Sequence, residues 1–151
     1  MGKIFKIIMD IILILLIIVL LGYLVLRVMN ILTIYKVETG SMEDGIHAGD
    51  YILIITKKEY HKGDVVTYRK GKNFITHRII EKNGDRVVTK GDANNTIDEA
   101  ITVKDIVGSV IYSGGALNFV VDYKFVIAGL FISFYLFSAY FDSRKTEAVK
   151  E

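Results

Sequence analysis

The hydrophobic residues of this chain form two long uncharged runs near its ends, and polar residues interrupt the apolar pattern throughout the middle. The first run, residues 11–26, would rise about 24 Å as a helix, and apolar flanks lengthen it enough to cross a bilayer. We therefore predict a cytoplasmic tail and a first transmembrane helix within residues 1–29, with the span over 7–29. A cleavable signal peptide is the alternative, because Lys3 and Lys6 form a basic start, but no small-x-small cleavage site follows the run.

A second uncharged run, residues 125–141, is apolar on all sides and predicts another transmembrane helix over 124–142, followed by a cytoplasmic tail over 143–151. A buried helix of the globular domain is the alternative. Two spans put both chain ends on one side of the membrane, and the basic residues of the short tails favour the cytoplasmic side. These residues are Lys3, Lys6, Arg144, Lys145 and Lys150. We expect a two-span protein of the cell membrane whose middle part, residues 30–123, lies on the extracytoplasmic side.

The middle part contains short runs of β-branched and aromatic residues separated by Gly-Asp pairs, a pattern typical of strands and turns. The predicted strands are residues 50–55, 64–68, 74–80, 86–89 and 106–112, and the Gly-Asp pairs stand at 49–50, 63–64, 84–85 and 91–92. No long amphipathic helical pattern lies between these strands. The predicted fold class is mainly β: a small antiparallel β-sheet or barrel flanked by N-terminal and C-terminal transmembrane helices.

The composition removes several classes of function. The formal net charge of +2 gives no reason to expect a nucleic-acid partner, and the absence of cysteine excludes a thiol nucleophile and a disulfide framework. We find neither a glycine-rich phosphate loop nor a paired-histidine metal site, so we expect no cofactor and no metal.

A candidate nucleophile, Ser41, follows the first apolar run within the sequence Thr39-Gly40-Ser41-Met42. Gly40 lets the backbone approach a substrate closely, and Met42 can bury itself beside the serine. The Ser41 backbone N–H and the Thr39 hydroxyl could together stabilise a developing oxyanion. The alternative interpretation is a solvated turn, which most Thr-Gly-Ser tripeptides form.

A serine nucleophile needs a base, and the chain has three histidines. His47 and His61 fall in turn-like segments and should be exposed. His77 lies in an apolar strand, where alternation sends it to the face opposite Arg78. A structural, hydrogen-bonded histidine is the alternative, so a catalytic role for His77 requires Ser41 beside it.

A carboxylate would orient the imidazole and stabilise its protonated form. Asp92 and Asp98 are the candidates, because both lie in the polar loop that follows the strand at 86–89. An Asx-rich turn is the alternative. A calcium loop is disfavoured, because the usual alternation of oxygen ligands is missing.

Five segments, taken in order, resemble the conserved boxes of type I signal peptidases, in the Ser-His-Asp branch shared by the endoplasmic reticulum, archaea and some Gram-positive bacteria. They are Thr39-Gly40-Ser41-Met42-Glu43 with Gly49-Asp50, Gly63-Asp64-Val65-Val66, Thr76-His77-Arg78-Ile79-Ile80, Lys90-Gly91-Asp92-Ala93-Asn94-Asn95 with Asp98, and Ile106-Val107-Gly108-Ser109-Val110. The chain departs from the family pattern at Asp44, where proline is usual. No lysine stands at the position of His77, so a Ser-Lys dyad is not expected.

The resemblance implies a membrane-anchored serine endopeptidase that cleaves N-terminal signal peptides from secreted preproteins, after small residues at the cleavage site and two positions before it. It implies the following roles: Ser41 as nucleophile, His77 as general base, Asp98 as third catalytic residue, Asp92 as a second important acid that could exchange roles with Asp98, and Thr39 with Ser41 as the oxyanion hole. The implied partners are preprotein signal peptides, the lipid bilayer and the secretory translocon.

An exposed apolar rim of Met42, Ile46 and Tyr51 is also expected, and it could reach into the lipid. Two other classes of function stay open. The first is a catalytically inactive, membrane-anchored β-domain that acts as an assembly or binding subunit. The second is a self-cleaving module related to the SOS-repressor peptidases, but those use a lysine base and carry a DNA-binding domain, and this chain has neither.

Overall fold

The computed structural model describes the backbone of residues 2–147 and the side chains of residues 4–140. The last residues of the predicted C-terminal tail, 148–151, lie outside the described part. The elements in chain order are α1 (Gly2–Val28), β1 (Leu32–Lys36), β2 (Tyr51–Ile55), β3 (Val65–Lys70), β4 (Asn73–Asn83), β5 (Arg86–Lys90), β6 (Ile101–Thr102), a 3-10 turn (Val103–Asp105), β7 (Ile106–Ser113), α2 (Gly115–Asp122) and α3 (Lys124–Glu147).

The strands form one seven-stranded sheet in the order β1-β2-β7-β3-β4-β5-β6, and all neighbouring strands are antiparallel. The predicted mainly β fold with flanking helices is therefore confirmed. Strand β4 changes partner along its length, because it pairs with β3 from Asn73 to Arg78 and with β5 from Arg78 to Asn83. Within the described residues, the first half of β4 thus has one edge without a partner strand, as does the edge strand β1.

Two clusters of buried apolar side chains form the core of the compact unit Val25–Val121. The first contains Tyr60, Val66, Tyr68, Ile79, Val87 and Ile106, and the second contains Met42, Ile46, Ile52 and Ile54. Because Met42 and Ile46 are only 1% and 6% exposed, the expectation that they form a lipid-facing rim is wrong. Burying side chains of this size contributes about 1.5–3 kcal/mol each, so they are held in the second cluster rather than displayed.

The N-terminal helix α1 matches the first predicted span. Over Ile4–Val28 it is the one helix in the described residues that is long and apolar enough by itself to cross a membrane, and its apolar side chains are exposed. The part of α3 with described side chains meets the same criterion only when it is counted together with α2, as a bent pair. The second span therefore stays a prediction.

Three elements were not predicted from the sequence: β1, β6 and α2. The residues of β1 follow the first apolar run directly, so their hydrophobicity was assigned to the flank of the span. The strand is formed by its pairing with β2, from Leu32↔Ile55 to Lys36↔Tyr51. Strand β6 has two residues and α2 has eight, which is too short for either to show a periodic pattern.

Candidate active site

Ser41 lies at the start of a tight turn that is anchored on both sides. After it, the Met42 carbonyl accepts the backbone N–H groups of Gly45 and Ile46 at 3.2 and 3.0 Å, and the Met42 side chain is buried in the core. The Ser41 carbonyl itself accepts the Ala93 N–H at 3.0 Å. These contacts fix the serine backbone and leave its hydroxyl at the surface of a cleft.

The turn explains one departure from the family pattern. Asp44, which stands where proline is usual, has φ of +83°. The proline ring holds φ near about −65°, so proline cannot adopt this conformation. Aspartate tolerates positive φ better than most residues, and the turn closes here without proline.

His77 on β4 is brought to the serine hydroxyl. Its Nε2 lies 3.0 Å from the Ser41 Oγ, and its Nδ1 lies 2.5 Å from the Asp98 Oδ2. A carboxylate can only accept, so Nδ1 carries the proton and Nε2 is left as the acceptor for the serine hydroxyl. The imidazole side chain is 7% exposed. The arrangement is that of a nucleophile, a base and a group that orients the base.

Asp98 is held in place by three side-chain donors. Besides the imidazole, the Thr89 hydroxyl donates to its Oδ2 at 2.7 Å, and the Tyr68 hydroxyl donates at 3.3 Å. Burial raises the pKa of Tyr68, which keeps its hydroxyl protonated as a donor. Thr89 and Tyr68 were not predicted as site residues, because in the sequence nothing distinguishes them from the other residues of their strands.

Asp92 contacts arginine rather than histidine. The Arg78 guanidinium donates to it through Nε at 2.9 Å and Nη2 at 2.6 Å, and this side-chain pair lowers the pKa of Asp92. The Asp92 N–H also points to the sulfur of Met42 at 3.5 Å. Asp92 thus ties β4 to the loop that contacts the turn at Ser41. Of the two acids in this loop, Asp98 bonds the imidazole and Asp92 does not.

Close approach of this loop to Ser41 requires glycine at position 91. A Cβ atom added at Gly91 would lie 2.6 Å from the Ser41 carbonyl oxygen, a separation that side chains essentially never show. The glycine therefore allows Ala93 to donate to that carbonyl. Its role is close packing, because Gly91 is not among the glycines with positive φ.

Two groups beside Ser41 have the chemistry of an oxyanion hole. The Thr39 Oγ1 lies 3.4 Å from the Ser41 Oγ. The Ser41 N–H donates to no acceptor among the described residues, so it is available to a substrate carbonyl. Thr39 and Ser41 both lie on the segment that follows β1.

A cleft of about 530 Å³ opens beside the serine and histidine. One wall is the segment from Tyr35 to Ser41, and the other is the start of β4, from Asn73 to His77. The second wall is the half of β4 that has one edge without a partner strand, and the first wall begins with the last two residues of the edge strand β1. At one end of the cleft the Tyr35 and Phe74 rings meet with their centroids 4.9 Å apart.

The described part of the chain shows no group of three or more His, Asp or Glu side chains that could hold a metal ion. His47 and His61 are exposed, and both lie in turns rather than beside Ser41. The Ser41, His77 and Asp98 side chains have the groups needed for acid–base and nucleophilic chemistry.

The chain is similar to several known proteins. A family model described as signal peptidase, peptidase S26, matches residues 8–107. Signal peptidase I W of Bacillus subtilis (strain 168) is 43% identical over 76 residues, which is 45% of this chain and 40% of that protein. The signal peptidase complex catalytic subunit SEC11 of Colletotrichum graminicola is 35% identical over 95 residues, 52% of this chain and 55% of that protein. SEC11 of Plasmodium falciparum is 36% identical over 72 residues, 43% of this chain and 39% of that protein.

The chain belongs to the signal peptidase family, peptidase S26. The resemblance to the branch that contains these relatives, predicted from the five boxes, is confirmed. The matched parts span between 39% and 55% of the length of these relatives.

Proposed function

We propose that this protein is a membrane-anchored serine endopeptidase that removes N-terminal signal peptides from secreted preproteins. The observation that carries the proposal is the series of contacts from Ser41 Oγ to His77 Nε2 and from His77 Nδ1 to Asp98, beside an open cleft. Membership of the signal peptidase family supports the substrate class.

In the proposed reaction, His77 takes the Ser41 proton as the serine oxygen attacks the scissile carbonyl. Asp98 stabilises the imidazolium that forms. The Ser41 N–H and the Thr39 hydroxyl donate to the oxyanion, where one donor is typically worth about 3 kcal/mol. His77 then gives its proton to the leaving amine, and water, activated by the same imidazole, hydrolyses the acyl-enzyme.

The two unpaired strand edges suggest how the substrate binds. An extended peptide in the cleft could add a strand between them, with backbone hydrogen bonds to both walls. Side chains two positions apart in such a strand point to the same face. A requirement for small residues at the cleavage site and two positions before it fits this geometry, because both side chains would meet the same wall.

The proposed setting is the outer surface of the cell membrane. Residues 7–29 and 124–142 would be two spans, with both tails cytoplasmic and residues 30–123 outside. Anchoring confines enzyme and substrate to a thin layer and raises their effective concentration. The lipid bilayer is then a direct partner, and the secretory translocon would deliver the substrate.

The test is processing of a reporter preprotein in membranes that contain the full chain, compared with Ser41→Ala and, as a matched control, Ser113→Ala. Ser41→Ala should reduce the cleavage rate at least about 1,000-fold without changing membrane insertion, because no other hydroxyl of the described residues forms a hydrogen bond with the His77 imidazole. The control should cleave normally. Equal cleavage by Ser41→Ala and wild type would refute the proposal, and an inactive wild type would favour the non-enzymatic subunit.

The same assay separates the two acids. Asp98→Asn should lower kcat/KM by about 10³–10⁴-fold, because an amide does not fix the imidazole tautomer. Asp92→Asn should lower it about tenfold, since it loosens only the loop behind Ser41. The reverse order of effects would make Asp92 the third catalytic residue.

A further inference from the structure

The segment that carries Ser41 is held by the turn His47-Ala48-Gly49-Asp50. Gly49 has φ of +95°, as the third residue of a type II turn requires, and the Asp50 N–H donates to the His47 carbonyl at 3.1 Å. Gly49 and Asp50 together face one residue, Val37. The Gly49 N–H donates to the Val37 carbonyl and the Val37 N–H donates to the Asp50 carbonyl, each at 2.8 Å. Two residues opposite one, with glycine first, form a β-bulge.

Val37 is the last residue before Ser41, within the described chain, whose backbone pairs with a neighbouring strand. On the N-terminal side of Thr39 and Ser41, this bulge is therefore the contact that sets their position relative to the sheet. If the turn shifts, the oxyanion donors and the nucleophile shift with it.

A residue distant in sequence, Asn118 on α2, holds the turn His47-Ala48-Gly49-Asp50 in place. Its Nδ2 donates to the Asp50 Oδ1 at 2.7 Å, and its Oδ1 accepts the Tyr51 N–H at 2.7 Å. The second Asp50 oxygen accepts the His47 N–H at 2.9 Å. These bonds lower the pKa of Asp50, the His47 N–H most and Asn118 next, so the carboxylate stays ionised. Both ends of the Asn118 amide are used, and only an amide supplies this donor and this acceptor together.

We propose that Asn118 is a positioning residue for the catalytic serine: by holding the Asp50 turn, it fixes the bulge at Val37 and so the register of Thr39 and Ser41 against His77. This role rests on the proposed function. It couples α2, the helix that precedes the second predicted span, to the active site through four hydrogen bonds of 2.7–2.8 Å.

An amide–carboxylate swap tests the proposal in the full chain in detergent. Asn118→Asp keeps the acceptor for Tyr51 but sets a second carboxylate against Asp50. We expect kcat to fall about tenfold or more, because Thr39 and Ser41 are displaced relative to His77, and KM to change by a smaller factor, because only one of the two cleft walls moves. The double variant Asn118→Asp with Asp50→Asn restores one amide and one carboxylate and should recover most of kcat. Asn83→Asp, an exposed change at the end of β4, is the matched control.

Amide hydrogen exchange gives a readout that does not depend on activity. The Val37 and Gly49 amides should lose protection in Asn118→Asp and regain it in the double variant. Unchanged exchange and kcat in Asn118→Asp, or a double variant no better than Asp50→Asn alone, would overturn the proposal. If Asn118→Asp does not fold, the comparison of the double variant with Asp50→Asn alone decides whether the proposal holds. If the wild type cleaves no preprotein, the proposed function fails, and exchange alone decides whether Asn118 holds this segment.

Discussion

Two turns in this protein have almost the same structure and different surroundings. The first is His47-Ala48-Gly49-Asp50, and the second is His61-Lys62-Gly63-Asp64. Glycine has φ of +95° in the first turn and +97° in the second. In each, the aspartate N–H donates to the histidine carbonyl at 3.1 Å. In each, the aspartate Oδ2 accepts the histidine N–H, at 2.9 and 3.1 Å.

Both turns also form the same bulge against a strand that leads to a catalytic candidate. Gly63 and Asp64 exchange backbone bonds with Ile79 at 2.8 and 2.9 Å, as Gly49 and Asp50 do with Val37. Ile79 is two residues from His77, and Val37 is four residues from Ser41. Ser41 and His77, the proposed nucleophile and base, are thus each held by a copy of one local structure.

The difference lies in how much else supports each strand. Strand β4 is flanked by β3 and β5 around Ile79, so the second turn is one support among several. The segment after Val37 has no second strand beside it in the described chain. The first turn also has Asn118, a partly buried partner on α2, whereas the second has Lys57, whose Nζ lies 3.8 Å from Asp64. Two turns with the same local structure can therefore contribute differently to the position of the residues that they support.

The largest expected effect comes from removing the two aspartates. Asp50→Ala should cost about 3 kcal/mol, because it leaves the Asn118 amide and the His47 N–H without their acceptor, and Asp64→Ala about 1 kcal/mol. At about 4–8 °C per kcal/mol, the melting temperatures of the full chain in detergent should differ clearly. Only Asp50→Ala should also lower kcat substantially. Equal losses of stability and kcat would abolish the distinction between the turns.

The sequence predicts the turns but not their difference. Gly-Asp pairs mark both positions equally, and alternation correctly sets His77 and Arg78 on opposite faces of β4. The partner of Asp50 is 68 residues away in α2, an element too short to show a pattern. Choosing between Asp92 and Asp98 likewise depends on which face of β4 each loop residue reaches, which only the folded sheet determines. Strand β1, whose last two residues line the cleft, was not predicted, because its apolar residues directly follow the apolar run of the first predicted span.

The two glycines should respond equally, in contrast to the aspartates. A Cβ at Gly49 or Gly63 would meet no atom within 4 Å, so alanine adds backbone strain and no clash. The cost of positive φ is about 1–2 kcal/mol for a residue with a side chain, and the two φ values are nearly the same. Gly49→Ala and Gly63→Ala should therefore lower the melting temperature by amounts that agree within about 2 °C. A clearly unequal pair would show that the turns differ in backbone strain as well.

A pH series isolates the contribution of the Asp50 carboxylate. Its pKa is lowered by the His47 N–H first and by Asn118 next, so the charged form is the one that the fold stabilises. That stability is fully present above the unfolded value of about 3.8 and is lost as the pH falls through the lowered pKa. The difference in melting temperature between wild type and Asp50→Asn should stay constant from about pH 8 to 5 and shrink below about pH 3.8. The His47 Nδ1 lies 3.5 Å from the Asp50 Oδ2, so His47→Gln should be measured alongside. A difference that does not shrink below about pH 3.8 would contradict the assignment to the Asp50 carboxylate.

The smallest effect is expected at Lys57, the counterpart of Asn118 at the second turn. Its side chain is 38% exposed, and the 3.8 Å separation from Asp64 is long for an ion pair. Such a pair contributes less than about 0.5 kcal/mol, because solvent screens it and holding the flexible side chain costs entropy. Lys57→Gln should therefore match the exposed neighbour variant Lys58→Gln in melting temperature and in kcat. A tenfold loss of kcat in Lys57→Gln alone would mean that the second turn also depends on one distant side chain, because the flanking strands would then be insufficient to hold Ile79 and His77.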